Sequence, residues 1–79
     1  MPNVIIYSTP TCHFCHLAKE FFAAHGVKYT DKNAATDIEA RKEAVQKSGQ
    51  MGVPVIDVDG NIIVGFDEEE LRRLLQINN

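Results

Sequence analysis

Short apolar runs in this chain alternate with longer stretches in which apolar residues recur every third or fourth position, and the alternation predicts its elements. Val4-Ile5-Ile6-Tyr7 is a β-branched and aromatic run closed by Ser8-Thr9-Pro10-Thr11, a buried strand followed by a turn. From Phe14 onward, Phe14, Ala18, Phe21 and Phe22 fall at helical spacing until His25-Gly26 stops them. Val27, Tyr29 and Asp31 alternate with Lys28 and Thr30 as in a half-exposed edge strand, and Lys32 to Ala35 reads as a loop. Thr36, with Glu39 three residues on, fits a capping box for a helix through Ile38, Arg41, Ala44 and Val45 that Gly49 ends. Val53 to Val58 is a second buried run. Asp59-Gly60 is a two-residue hairpin signal that returns Asn61 to Val64 antiparallel to it. Gly65-Phe66 leads to Asp67, which caps a last helix with Glu70, burying Leu71, Leu74 and Leu75 and placing Arg72 and Arg73 nearer its end.

The predicted order is strand, helix, strand, helix, strand, strand, helix. A right-handed crossover makes the first two strands parallel, and the hairpin adds two antiparallel ones. The expected fold class is α/β, one domain over residues 1–79 with a mixed four-stranded sheet flanked by three helices.

Composition narrows the function. Forty-four per cent apolar residues suffice for a globular core, and two cysteines make at most one bridge, so they are not a disulfide scaffold. No run approaches the roughly 18 apolar residues of a membrane span, and Met1-Pro2-Asn3 leaves no room for a removed leader before the first strand. The expectation is a soluble, cytoplasmic monomer. Eight Lys and Arg against eleven Asp and Glu give a formal charge of −3, which argues against nucleic acid as the main partner. The run Asp67-Glu68-Glu69-Glu70 reads as a helix start favoured by its own dipole, whereas His13, His16 and Lys19 make the cysteine region locally positive.

The two cysteines carry the chemistry. They stand as Cys12-His13-Phe14-Cys15 between the first strand and its helix. Cys12 is expected at the first exposed helical position, where unpaired N–H groups lower a thiol pKa. Cys15 lies almost one turn further in, shielded but within reach, which suits a resolving thiol. Cys12, His13, Cys15 and His16 cannot all turn to one zinc ion without breaking the helix, so no metal site is expected within one chain. A protonated His13 would stabilise the neighbouring thiolate; a solvated surface role is its alternative, and the surface role is preferred for His16. Pro54, opening a buried strand, is either an ordinary trans entry or a cis bond that exposes the Val53 N–H and C=O to strand-like pairing with a substrate.

Together these residues resemble the glutaredoxin family of the thioredoxin fold. The likeness runs from Val4 to about Leu75 and rests on Tyr7, Thr11-Cys12 leading into Cys15, Ala18-Lys19, Ser48-Gly49, Val53-Pro54, and Gly65 before Asp67. It implies a thiol–disulfide oxidoreductase with Cys12 as nucleophile and Cys15 as resolving thiol. Thr11, Phe14, Val53, Pro54, Phe66 and Asp67 are its implied substrate-binding positions. The resemblance also implies glutathione as co-substrate, no tightly bound cofactor, and disulfide-containing proteins as partners.

The chain departs from the family pattern at three places. His13-Phe14 replaces the usual Pro-Tyr between the cysteines, Thr9 stands where a lysine is common, and Gln50 where a basic residue often precedes the Val-Pro pair. Losing those cations removes charge-assisted bonds to glutathione. Gly65-Phe66 also resembles glutaredoxin-like redoxins that take electrons from thioredoxin reductase and serve ribonucleotide reductase, although Asp67-Glu68-Glu69 replaces their basic and proline residues. An iron–sulfur cluster carrier is the third alternative, against which a resolving Cys15 weighs.

Overall fold

Period-two alternation in β1 (Val4–Ser8) sends Val4 and Ile6 to one face of the sheet and Ile5 and Tyr7 to the other. In the computed structural model, which describes residues 2–78, there follow α1 (His13–Ala24), β2 (Thr30–Asn33), α2 (Ile38–Ser48), β3 (Val55–Val58), β4 (Asn61–Val64) and α3 (Glu68–Leu75). The strands lie in the order β2-β1-β3-β4, with β1 parallel to β2, antiparallel to β3, and β3 antiparallel to β4. This is the mixed sheet the sequence leads one to expect. Ala18, Phe21 and Phe22 of α1 and Leu71 of α3 bury against Val4, Ile6, Ile56, Val58 and Ile63 on one face. Ala40 and Ala44 of α2 cover Tyr7 and Val55 on the other.

Two local expectations are corrected. The second strand begins later, at Thr30, and takes in Lys32 and Asn33, which pair with Tyr7 and Ser8 of β1 rather than forming a loop. Val27 and Tyr29 pack on the core ahead of it, Tyr29 tilted over Phe22 with ring centroids 5.2 Å apart. The cap of α2 is Asp37, not Thr36: its carboxylate accepts from the N–H groups of Glu39 and Ala40, while the N–H groups of Ala35 and Thr36 bond to Asn33 Oδ1. A carboxylate there also meets the positive end of the helix dipole. Along its inner side α2 buries Ala40 and Ala44 while Ile38 is 62% exposed, because small side chains let the helix come close to a sheet face already filled by Tyr7.

The hairpin and the last helix form as expected. Asp59 (φ 52°) and Gly60 (φ 91°) both take the positive φ that a tight hairpin turn requires. Asp67 Oδ1 accepts the Glu70 N–H at 3.1 Å, and Arg72 and Arg73 pair with Glu68 and Glu70.

A polar chain crosses the α2 face. Lys47 Nζ donates to Asp57 Oδ2 (2.7 Å) and to the Tyr7 hydroxyl (2.8 Å), Tyr7 donates to Glu43 Oε1 (2.8 Å), and Lys32 donates to the same oxygen (2.9 Å). Burial alone would push the Asp57 carboxyl up, but bonds from Lys47 and the Gly60 N–H outweigh it and hold it below the ordinary carboxylate range. The folded carboxyl therefore releases its proton more readily than the unfolded one. Its stabilisation is complete above the pH where an unfolded carboxyl titrates, about 4, and is lost as pH falls through the lower folded value. Urea unfolding followed against pH should show stability dropping in this acid range, and Asp57→Asn should flatten the drop while lowering stability at neutral pH. An unchanged acid slope in Asp57→Asn would show that other carboxylates set it.

The two outer strands differ. On β2, Asp31 is held by Ser8 and Lys19 and Lys32 by Glu43, whereas Asn61-Ile62-Ile63-Val64 of β4 carries no charge.

Candidate active site

Three connections meet at one end of the sheet. Because Tyr7 of β1 pairs with Val55 of β3, and Val55 with Val64 of β4, the exit of β1, the entry to β3 and the exit of β4 share that end. They carry Cys12, Val53-Pro54 and Phe66-Asp67 respectively. A bond from the Gly65 N–H to the Pro54 carbonyl (2.8 Å) ties the last two together.

Cys12 sits one position earlier than expected, as the N-cap of α1, with its N–H bonded to the Thr9 carbonyl. Its sulfur accepts the Cys15 N–H at 3.1 Å, the role a serine or aspartate oxygen plays at other helix starts. Cys15 is fully buried and disulfide-bonded to Cys12, with Cα atoms 5.2 Å apart. No acidic residue occupies the first turn of α1, so nothing there opposes a sulfur anion. Thr11, His13 and Phe14 are exposed beside the pair, the His13 ring edge-on to Phe14 at 5.4 Å.

His16, read as a surface residue, donates from Nε2 to the Pro10 carbonyl at 3.0 Å and so braces the turn before Cys12. The expected positive surround is weaker than the sequence suggests. Lys19 Nζ lies 2.6 Å from Asp31, whose other oxygen accepts from the buried Ser8 hydroxyl at 2.7 Å. That three-residue link, which locks α1 and β2 to the end of β1, has no signature in the sequence.

The Val53-Pro54 bond is cis, and Pro54 is buried. Among the described residues, neither the N–H nor the C=O of Val53 has a hydrogen-bond partner. Phe66 turns its ring to the core, 5.9 Å from Phe21, so its side chain is largely given to packing. Asp67 spends one carboxylate oxygen on its own helix. Gln50 does not reach out either: its Oε1 accepts the Gly52 N–H at 2.6 Å and its Nε2 donates to the Gly52 carbonyl at 2.9 Å. Among the described residues no group of three His, Cys, Asp or Glu side chains could hold a metal ion, and no helix is long and apolar enough to cross a membrane.

Known proteins share this arrangement. The glutaredoxin family model matches residues 4–63. An uncharacterized glutaredoxin-like 8.6 kDa protein from the rubredoxin operon of Clostridium pasteurianum is 46% identical over 71 residues, covering 90% of this chain and 95% of the relative. Glutaredoxin 3 of Escherichia coli is 35% identical over 68 residues, covering 86% and 82%. The crystal structure of a glutaredoxin from Archaeoglobus fulgidus superposes with a TM-score of 0.81 at 27% identity, covering 96% of this chain and 88% of the other. The fold is thus thioredoxin-like, and a family match that takes in the sheet and both cysteines leaves one assignment: the chain belongs to the glutaredoxin family and is a thiol–disulfide oxidoreductase.

Proposed function

We propose that the protein reduces protein or glutathione mixed disulfides through a Cys12/Cys15 dithiol cycle in a cytoplasm that keeps thiols reduced. The observation that carries this reading is the Cys12 sulfur seated on the Cys15 N–H at the start of α1, with buried Cys15 as its bonded partner. In the reduced protein that N–H and the helix dipole favour the Cys12 thiolate. The thiolate attacks one sulfur of the substrate disulfide, a Cys12–substrate bond forms as the substrate's own S–S bond breaks, and the leaving thiolate takes a proton from water. Cys15 then gives up its proton and attacks Cys12 Sγ, the mixed disulfide breaks, and the second substrate thiolate leaves. Two electrons have passed to the substrate. Two molecules of glutathione, or a thioredoxin reductase, return them to the pair.

On this reading Thr11 and Phe14 border the reacting sulfur, Val53 and Pro54 offer a strand-like edge, and the backbone of Phe66 and Asp67 at the start of α3 meets the polar end of the substrate. NADPH consumption with glutathione, glutathione reductase and a small disulfide tests the cycle. No turnover there, with NADPH consumption supported by thioredoxin reductase, assigns the second donor. The second reading, a redoxin that serves ribonucleotide reductase, is favoured by one observation: Lys19 is paired with Asp31, and Thr9 and Gln50 supply no charge for a glutathione carboxylate.

Two variants probe the pair. In Cys15→Ser the first exchange proceeds and the second cannot, so mass spectrometry after exposure to oxidised glutathione should find one glutathione held on Cys12; its absence would deny Cys12 the attacking role. His13→Ala should raise the pH at which the Cys12 thiolate forms, read from its ultraviolet absorbance, and an unchanged titration would remove His13 from the chemistry.

A further inference from the structure

The approach to Cys12 is held from the helix it leads into. Thr9, Pro10 and Thr11 turn the chain from β1 to α1, and among the described residues the side chains of Thr9 and Thr11 make no hydrogen bond. Pro10 has no N–H to give. Two bonds close the turn: the Cys12 N–H reaches the Thr9 carbonyl at 3.3 Å, and His16 Nε2 donates to the Pro10 carbonyl at the shorter distance of 3.0 Å. Side chains on a helix lean toward its N-terminus, so a residue four places after Cys12 can reach back over the first turn. A carbonyl only accepts, so Nε2 carries the proton, and the bond is the same whether or not Nδ1 carries one too.

What that tie governs is the seat of the sulfur. Cys12 caps α1 in extended backbone (φ −91°, ψ 112°), and this conformation is what carries its Sγ to 3.1 Å from the Cys15 N–H. The chain enters Cys12 from Pro10 and Thr11 and leaves it into a first turn in which the His16 N–H bonds the Cys12 carbonyl at 3.2 Å. His16 therefore holds Cys12 from both sides, through its own N–H after the cysteine and through its ring before it. The other basic side chains near the pair are engaged elsewhere. Among the described residues His13 meets the Phe14 ring and has no hydrogen-bond partner, and Lys19 is bonded to Asp31.

We infer that His16 is a positioning residue which, by tying the Pro10 carbonyl to α1, keeps the Cys12 sulfur seated on the Cys15 N–H and so favours its thiolate. The inference rests on the role of Cys12 as attacking thiol proposed above. The test uses the Cys15→Ser protein, in which Cys12 is the sole thiol and the N–H of residue 15 is retained. To it is added either His16→Leu, which removes the donor, or His16→Gln, whose amide N–H can donate to the same carbonyl but carries no charge.

His16→Leu should raise the midpoint of Cys12 thiolate formation, followed by ultraviolet absorbance, by about half a pH unit, the threefold effect of loosening one hydrogen bond to the sulfur anion. Alkylation of Cys12 by iodoacetamide below that midpoint should slow about twofold, since part of the lost thiolate is offset by its greater nucleophilicity. His16→Gln should restore both readouts to within about 0.2 pH unit and the parent rate, because the bond and not the ring is what is needed. His16 is exposed, so the thermal midpoints of the three proteins should agree within about 4 °C, whereas a merely structural residue would move the thermal midpoint and leave the titration in place. An unchanged titration in His16→Leu would overturn the inference. So would equal shifts in His16→Leu and His16→Gln, which would trace the effect to the charge of the imidazole. Failure of the Cys15→Ser protein itself to take up glutathione from its oxidised form would instead overturn the attacking role of Cys12.

Discussion

Cys12→Ser should abolish disulfide reduction, by on the order of a thousandfold or more, while leaving the reduced protein folded. A serine hydroxyl does not ionise at neutral pH and cannot form the mixed disulfide with which the cycle begins. Serine is nonetheless among the best N-cap residues, and its oxygen can accept the Cys15 N–H that the sulfur accepts in the native chain. Loss of function and retention of the helix are therefore separable. Equal thermal midpoints for reduced wild type and Cys12→Ser, with no NADPH consumption by the variant under either reductase, are the expected pair of results. Residual turnover within about tenfold of wild type would mean that Cys15 or an outside thiol can start the reaction.

Phe22→Ala should cost about 3–5 kcal/mol, a large part of the stability of so small a domain. Phe22 is completely buried on the inner side of α1, with ring contacts to Phe21 at 6.1 Å and Tyr29 at 5.2 Å. Its ring fills the space between α1, the sheet and the segment entering β2, and an alanine leaves a cavity that backbone movement closes only in part. Urea unfolding should show a much lower midpoint, or no folded baseline at all. Ile38→Ala, on the outward side of α2, should stay within about 0.5 kcal/mol of wild type. A loss below about 1.5 kcal/mol in Phe22→Ala would mean that neighbouring side chains collapse into the gap.

The elements most legible in the sequence were those fixed by local chemistry. β1, α1, the Asp59-Gly60 hairpin and the Asp67 cap follow from periodicity and turn residues, and all four form. β2 was misplaced because its residues, Thr30 to Asn33, are polar and gain strand geometry only by pairing with β1, a partner more than twenty residues away. Thr36 and Asp37 both satisfy the pattern of a helix cap, and only the competing bonds made by Asn33 decide between them. The site divides in the same way. The spacing of Cys12 and Cys15 and the pairing of Val53 with Pro54 could be read directly, but a glutamine folded onto a glycine two residues away leaves no pattern to find.

The unequal edges of the sheet bear on how the protein behaves when crowded. A chain of molecules joined strand to strand must add at both ends, as beads need a hole on each side to be strung. Here β2 keeps charged side chains on both faces, which disfavours pairing, whereas the other outer strand, β4, carries no charge. Edge-to-edge pairing through β4, if two copies met there, would stop at two, because neither copy offers a second uncharged outer strand for the next to join.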